Sequence, residues 1–354
     1  MNCKSIMGAA LIVSAMAGAE AALAAAAGEV TVSVTPERQN LAKSDDVVVR
    51  VTVTNASAAT QYLLKWQTPF GAIEAPLFEV TRDGLPVRYL GMQVKRPAPG
   101  AADYVALKPG ASRSVRVELS ALYDMAITGA YSVRWRADAT QVFSRPGVAR
   151  ASARPETGPA AVWIDGRLPR GAPEASAAAP ESPAGLSFNR CSNAQQETIA
   201  SAAQAAQAMA QDANLYLQAK ALGARYGSWF GAVDAERSAT ALRHFQAIGD
   251  AFANKPVTVD CSCKQAYYAY VYPNQPYRIY VCKAFWSAPP TGTDSKGGTL
   301  VHEMSHFTVV AGTDDLAYGQ AAAGQLAASD PARALNNADS HEYFGENTPH
   351  LELR

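Results

Sequence analysis

Short runs of alternating apolar and polar residues occupy the chain from about residue 29 to residue 150. Side chains along a strand point to opposite faces in turn, so this period of two indicates strands with one buried face. Turn-forming residues separate the runs, as expected for an antiparallel sandwich of two sheets. The clearest runs are 30–34, 47–53, 77–80, 114–119 and 131–135.

After residue 185 the pattern becomes helical. Ser192 is the predicted N-cap of the first helix. Two short strands, 267–271 and 278–282, flank a Pro-Asn-Gln-Pro loop and predict a β-hairpin. Apolar periodicity and Ala-rich composition predict helices over 193–222, 233–252, 299–309, 318–328 and 331–344.

The stretch 151–185 differs from both parts, because it is rich in Ala, Pro, Ser and Gly and cannot bury enough apolar surface to fold alone. We predict that it is a linker and processing region. The predicted fold class is α+β. An immunoglobulin-like β-sandwich covers 28–150, and a mostly α-helical domain with a small hairpin covers 186–354.

Composition and charge fit two ordinary globular domains. The 354 residues include 31 Lys and Arg, 31 Asp and Glu, and 48% hydrophobic residues, which argues against a nucleic-acid-binding or disordered chain. Lys4, the apolar run 6–17 and an Ala-rich segment predict a secretory signal peptide over 1–27. The run is shorter than the ~20 residues that a membrane span needs, so we expect a soluble, secreted protein.

Cysteine usage agrees with export. Cys3 lies in the predicted signal, and four cysteines remain: Cys191, Cys261, Cys263 and Cys282. An even number in an oxidising compartment predicts two disulfides, and three pairings are possible. Cys261 and Cys263 could instead form half of a metal site, but no second pair with this spacing exists.

The sequence His302-Glu303-Met304-Ser305-His306 predicts a zinc site. Histidines four apart project from one face of a helix and can bind a single Zn²⁺, while Glu303 is free to act as a base. Leu300 and Met304 would face the core. The alternative for the two histidines is a buried structural pair.

Two further residues complete the predicted site. Catalytic zinc usually has three protein ligands and a water, and Asp315 is the leading candidate for the third ligand. Glu303 would take a proton from the water as it attacks a carbonyl. Tyr318 would donate a hydrogen bond to the developing oxyanion, although it could also be a core residue.

The stretch Gly312-Thr313-Asp314-Asp315-Leu316-Ala317-Tyr318-Gly319 after the histidine motif resembles the signature of the aspzincins, the family of deuterolysin and peptidyl-Lys metalloendopeptidase. The resemblance covers nearly all of 188–350. It includes similar landmarks at 229–231, 260–263, 269–274, 284–286, 291–295 and 337–344.

This resemblance implies a zinc endopeptidase with one Zn²⁺ on His302, His306 and Asp315, Glu303 as base and Tyr318 assisting the transition state. It also implies disulfides between Cys191 and Cys261 and between Cys263 and Cys282.

In the lysine-specific branch of the family, an acidic pocket binds the residue after the scissile bond, and Asp339 and Glu342 match its carboxylates. Three apart on a helix, they can meet one ammonium group, although they could also form a solvated face. The resemblance therefore favours hydrolysis of Xaa-Lys bonds. His341 between them is expected to pack or hydrogen-bond rather than to bind zinc.

By position and patterning, the N-terminal sandwich resembles the propeptides of exported peptidases. We predict an intramolecular inhibitor that blocks the cleft, with one lysine in the acidic pocket as a substrate mimic. The candidates are Lys43, Lys65, Lys95 and Lys108. No lysine lies between Lys108 and Lys220, so strict lysine specificity requires a separate processing protease or some tolerance for arginine.

Two other functions stay open from sequence. One is a deuterolysin-like protease of broader specificity, which Asp339 and Glu342 argue against. The other is an exported binding protein with a structural zinc site, which Glu303 beside an open zinc position argues against. The expected partners are protein or peptide substrates and the chain's own prodomain, with no nucleic acid and no membrane span.

Overall fold

The computed structural model describes residues 30–42, 45–155, 158–165, 185–219 and 222–351. Its first part is built from strands. They are β1 (Val30–Pro36), β2 (Asn40–Leu41), β3 (Val48–Asn55), β4 (Gln61–Leu64), β5 (Phe78–Arg82), β6 (Leu85–Pro86), β7 (Gln93–Lys95), β8 (Tyr104–Leu107), β9 (Ser112–Glu118), β10 (Gly129–Trp135), β11 (Gln141–Arg145), β12 (Val148–Ser152), β13 (Arg154–Pro155) and β14 (Ala160–Ile164). The predicted signal peptide lies outside the described residues.

Three sheets share one core in this part. Their strand orders are β13-β1-β3-β9, β2-β14-β10-β5-β6 and β12-β11-β4-β8. Alternate residues of β3 point inward, and Val49, Val51 and Val53 are buried against the Trp135 side chain of β10 and its neighbours. The alternation in the sequence thus predicted the buried face. The immunoglobulin-like arrangement of the strands stays a prediction.

The sheets continue into the stretch predicted to be a linker. Strand β14 pairs with β10 in antiparallel register, and its residues Val162 and Ile164 are buried. A strand of five residues in an Ala- and Pro-rich stretch is too short to stand out as a periodic pattern. The folded first part therefore extends to Ile164. Within the predicted linker, 156–157 and 166–184 lie outside the described residues.

The second part is mixed, as the predicted α+β class requires. Its strands are β15 (Gly185–Asn189), β16 (Pro256–Asp260), β17 (Ala269–Val271) and β18 (Arg278–Val281). Its helices are α1 (Asn193–Gln218), α2 (Ala224–Phe230), α3 (Ala235–Asn254), α4 (Lys283–Ser287), α5 (Lys296–His306), α6 (Gln320–Ser329), α7 (Pro331–Leu335) and α8 (Ala338–Glu346). Ser192 caps α1 through a reciprocal hydrogen bond with Gln195, as predicted.

One sheet joins the two parts of the molecule. Its order is β15-β16-β18-β17-β7. The predicted hairpin β17–β18 therefore lies inside the sheet, with β18 parallel to β16 and β17 next to β7 from the first part. Strand β7 pairs with β17 in antiparallel register, with Lys95 opposite Ala269 and Gln93 opposite Val271. This pairing places residues of the first part beside α5 and α8.

Two disulfides stabilise the loops around this sheet. Cys191 is bonded to Cys261, and Cys263 is bonded to Cys282, the pairings that the family resemblance implies. In the described residues, no helix is both long and apolar enough to cross a membrane.

Candidate active site

Helix α5 carries the histidine motif and passes very close to its neighbours. Ser295 caps it by accepting a hydrogen bond from Gly298, and residues 297–306 are all buried. A Cβ atom on Gly297 would lie 2.9 Å from the Ala205 Cβ of α1, and one on Gly298 would collide with the Glu346 carboxylate of α8. The two glycines therefore let α5 lie between α1 and α8, where its polar face meets α8.

Three predicted ligands meet on this buried face. His302 Nε2 lies 3.0 Å from Asp315 Oδ1, His306 Nε2 lies 3.4 Å from the same oxygen, and the two Nε2 atoms are 3.2 Å apart. Zinc bound at about 2.0–2.1 Å in tetrahedral geometry separates its ligand atoms by roughly 3.3 Å. The three side chains therefore fit one zinc ion.

The other ring nitrogens favour the tautomers that zinc requires. His306 Nδ1 donates to the carbonyl oxygen of Thr313 at 2.8 Å. His302 Nδ1 lies 3.0 Å from Asp339 Oδ1 and 3.3 Å from Glu342 Oε2, close contacts that are poorly aligned as hydrogen bonds. With a proton on each Nδ1, both Nε2 atoms direct lone pairs toward the shared centre.

Glu303 is fully buried beside these ligands. Neither of its carboxylate oxygens has a hydrogen-bond partner among the described residues. Burial raises the pKa of Glu303 to about 7, although His302 and His306 oppose this shift. A carboxyl group in this state can both accept and donate a proton near neutral pH.

An acidic pocket adjoins the three ligands, and Lys95 of β7 fills it. The ammonium group pairs with Glu342 and lies 3.3 Å from Asp294 Oδ1 and 3.7 Å from Asp339 Oδ1. Although burial opposes it, these carboxylates raise the pKa of Lys95 well above its usual range. The structure brings the predicted pair Asp339 and Glu342 together around one ammonium.

Comparison with known proteins agrees with this geometry. The model of the aspzincin family, described as lysine-specific metallo-endopeptidase, matches residues 216–346. An extracellular protease from Aeromonas hydrophila is 50% identical over 310 residues, which are 86% of this chain and 89% of the relative. The chain belongs to the aspzincin family. It is therefore a metalloendopeptidase.

Two further relatives extend the comparison. A peptidyl-Lys metalloendopeptidase from Grifola frondosa is 38% identical over 324 residues, which are 86% of this chain and 89% of the relative. A solved structure of a zinc peptidase from Grifola frondosa has 48% sequence identity and a TM-score of 0.44, and it covers 46% of this chain and 100% of its own.

Tyr318 of this aspzincin is buried between the two parts of the molecule. Arg96 of the first part donates from Nη1 to the Tyr318 hydroxyl at 3.5 Å, and the Trp66 ring packs edge-on to Tyr318 at 5.8 Å between centroids. Burial raises the pKa of Tyr318 above its ordinary value, so the phenol keeps its proton. It remains able to donate a hydrogen bond.

Three residues with contacts at this site were not predicted from the sequence: Asp294, Arg96 and Asp314. Asp294 joins the acidic pocket, where Tyr343 donates to it at 2.8 Å, and its place in the family landmark 291–295 is the signal that could have indicated a role. Arg96 and Asp314 make contacts across the two parts that no local pattern contains. His341 packs against Phe245 and bonds to Asn337 and His244, as expected for a residue that does not bind zinc.

Proposed function

We propose that this aspzincin is an exported zinc endopeptidase that hydrolyses the peptide bond before lysine and is made as a latent precursor. The observation that carries the proposal is the Lys95 ammonium among Asp294, Asp339 and Glu342, next to the three zinc-ligand candidates. A buried ammonium needs compensating charge, so this pocket selects a cationic side chain.

The catalytic roles follow from the positions of the side chains. Zinc on His302, His306 and Asp315 would supply a Lewis acid that acidifies a water and polarises a carbonyl. Glu303 takes a proton from the attacking water and returns it to the leaving amine. Tyr318 donates a hydrogen bond to the oxyanion as charge develops there.

Latency is supported by the way β7 occupies the cleft. Val94 N donates to Asp315 Oδ2 at 2.9 Å, while Tyr268 N donates to the Lys95 carbonyl at 3.1 Å. A peptide substrate paired with β17 would make the same kind of contacts. Of the four lysines considered from sequence, Lys95 is the one in the pocket, Lys65 and Lys108 are exposed, and Lys43 lies outside the described residues.

A network around Arg96 would protect the bond before Lys95 in the latent precursor that we propose. Arg96 Nη1 donates to the Val94 carbonyl at 3.2 Å, the carbonyl that water would attack, and the same nitrogen contacts Tyr318. Glu74 pairs with Arg96 and accepts from the Tyr267 hydroxyl at 2.8 Å. By holding this carbonyl in place, Arg96 would keep it out of the position in which zinc and Tyr318 act.

The proposal is tested with a full chain that carries Lys95→Ala and is cleaved within 166–184, because the first part should then dissociate and free the cleft. Size-exclusion chromatography verifies the dissociation. Mass spectrometry of a mixed peptide substrate should show cuts before lysine. Glu303→Gln should lower the rate by about a thousandfold because the base is lost, with zinc content unchanged. Glu236→Gln, an exposed change in the first turn of α3, is the matched control.

The outcomes separate the competing functions. Scattered cuts by the zinc-loaded enzyme would support a broader, deuterolysin-like specificity instead. Zinc binding without any cleavage would support the binding-protein hypothesis and contradict the proposed function.

A further inference from the structure

The contacts of strand β7 also indicate a second site in the cleft, where another side chain of a substrate would bind. Gln93 and Lys95 are two residues apart on one strand, so their side chains leave the same face. Lys95 enters the acidic pocket, whereas the Gln93 amide Nε2 donates to Asp314 Oδ1 at 2.9 Å. If Lys95 imitates the lysine of a substrate, Gln93 imitates the residue two positions before it.

Asp314 is held in place by its own domain. Its backbone N–H donates to the Asn336 carbonyl at 2.8 Å, and its carbonyl accepts from Ala338 N at 3.0 Å. The Asn336 amide donates to Asp314 Oδ2 at 3.3 Å. These contacts come from the segment between α7 and α8, so they persist when the first part is removed.

The first part supplies two more donors to the same carboxylate. Besides Gln93, the Arg136 guanidinium donates from Nη1 to Asp314 Oδ2 at 3.3 Å. The Asp314 side chain keeps 21% of its surface exposed in this arrangement. Removal of the first part takes both donors away and leaves a partly buried carboxylate facing the substrate cleft.

We infer that Asp314 is a specificity-determining residue that favours substrates with a donor or a cation, such as glutamine or arginine, two positions before the lysine. This inference rests on the proposed function, because it takes β7 as a substrate mimic. An acidic residue at the same position would face Asp314 with like charge and without a donor.

The test uses four peptides that differ only two positions before the lysine, where they carry Arg, Gln, Leu or Glu, with Val next to the lysine as in β7. The enzyme is the second part with its wild-type sequence, freed by cleavage within 166–184 of a full chain that carries Lys95→Ala in the first part. We expect kcat/KM for the Arg peptide to exceed that for the Glu peptide by about tenfold, the effect of one charged hydrogen bond.

Asp314→Asn should reduce this ratio to about twofold, since the amide keeps the shape but loses the charge. The ratio is the readout because any disturbance of the adjacent Asp315 affects all four peptides alike. Asp330→Asn removes one charge at the N-cap of α7 and should leave the ratio unchanged.

Equal rates for the Arg and Glu peptides with the wild-type enzyme would overturn the inference, as would a ratio that Asp314→Asn leaves unchanged. Failure to cleave any of the four peptides is a different result. It would contradict the proposed peptidase function, and it would therefore also overturn the inference, which depends on that function.

Discussion

Two buried ionisable side chains in the cleft, Lys95 and Glu303, differ in how their charge is compensated. Lys95 is fully buried among three carboxylates, and Glu303 is fully buried with both oxygens unpaired among the described residues. A buried, unpaired polar group reduces the free energy of unfolding by about 1–3 kcal/mol. This cost applies to Glu303 and not to the paired Lys95, which makes Glu303 a good candidate for catalysis.

Arg96→Ala should make the first part, the proposed inhibitor, a substrate. Without the guanidinium, the proposed restraint on the position of the Val94 carbonyl is lost, so the bond before Lys95 should become open to hydrolysis. Intact-mass analysis of the zinc-loaded full chain should detect a cut between Val94 and Lys95. Wild-type protein should stay whole at this bond for at least about tenfold longer.

Adding Glu303→Gln to Arg96→Ala should prevent this cut. Arg113→Ala removes an arginine that lies over the Phe70 ring, far from the cleft, and should not cause the cut. Glu74→Gln should also lead to this cut, because it removes the ion pair that anchors Arg96 but keeps the guanidinium. An uncut Arg96→Ala chain that folds and binds zinc would contradict the proposed role of Arg96.

Helix packing decides where the histidine motif lies. Helix α5 contacts α8 through Gly298, where a Cβ would be 2.0 Å from Glu346 Oε1. That oxygen accepts from both the backbone N–H and the hydroxyl of Ser295 at 2.8 Å. Glu346 therefore holds the start of α5 against the end of α8.

Gly298→Ala should displace the Glu346 carboxylate and lower the free energy of unfolding by about 2–4 kcal/mol. Gly324→Ala in α6 is the matched control, because its Cβ would meet nothing closer than the Ser228 carbonyl at 3.9 Å. The control should be neutral or stabilising by about 0.5–1 kcal/mol. Urea denaturation measures the free energy of unfolding of both variants. Equal values would argue against the close approach of Gly298 to Glu346.

A pair of histidines joins α3 to α8 and makes stability depend on pH. His244 Nδ1 lies 2.9 Å from His341 Nε2. Burial lowers the pKa of His341 to about 3 and the pKa of His244 to about 4, from an ordinary 6.5. The folded protein thus keeps both imidazoles neutral where the unfolded chain binds protons.

Stability should therefore be fully present above about pH 6.5 and decline as the pH falls toward 4. Near pH 5 the loss is on the order of 2 kcal/mol for each imidazole. In thermal denaturation, His244→Asn should weaken this pH dependence, whereas His350→Asn, at an exposed position, should not. An identical pH profile in His244→Asn and wild type would refute the assignment.

The whole molecule consists of two parts that meet across the cleft. Besides the β7–β17 pairing, ion pairs join Arg136 to Asp314 at 3.3 Å and Arg333 to Asp138 at 3.0 Å. These two ion pairs are partly exposed, so each contributes little to the free energy of association. The buried Lys95 dominates the electrostatic part of the interface.

Chain cut within 166–184 should consequently stay associated and inactive, because the two parts remain joined by these contacts. Lys95→Ala should weaken the complex by at least about a hundredfold, since it leaves three carboxylates buried without their cation. Size-exclusion chromatography and peptide hydrolysis measure association and activity. Lys65→Ala, at an exposed position, is the control, and equally firm inhibition in Lys95→Ala would contradict the substrate-mimic hypothesis.

The sequence by itself determined the features that depend on local spacing. Histidines four apart on a helix face one way wherever the helix lies, so His302, His306 and the adjacent Glu303 were predictable. The same holds for the strand alternation and the Ser192 cap. Asp315 was already the leading candidate for the third ligand, and the family motif supported it, whereas the acidic pair required the motif.

Only the tertiary structure decided which residues from the first part reach the cleft. Lys95 and Glu342 are 247 residues apart, and Gln93 and Asp314 are 221 apart, so no periodic pattern links them. Four lysines were equal candidates from sequence until the β7–β17 pairing selected one. Long-range pairing depends on the packing of whole sheets and helices, and that packing is what local patterns leave undetermined.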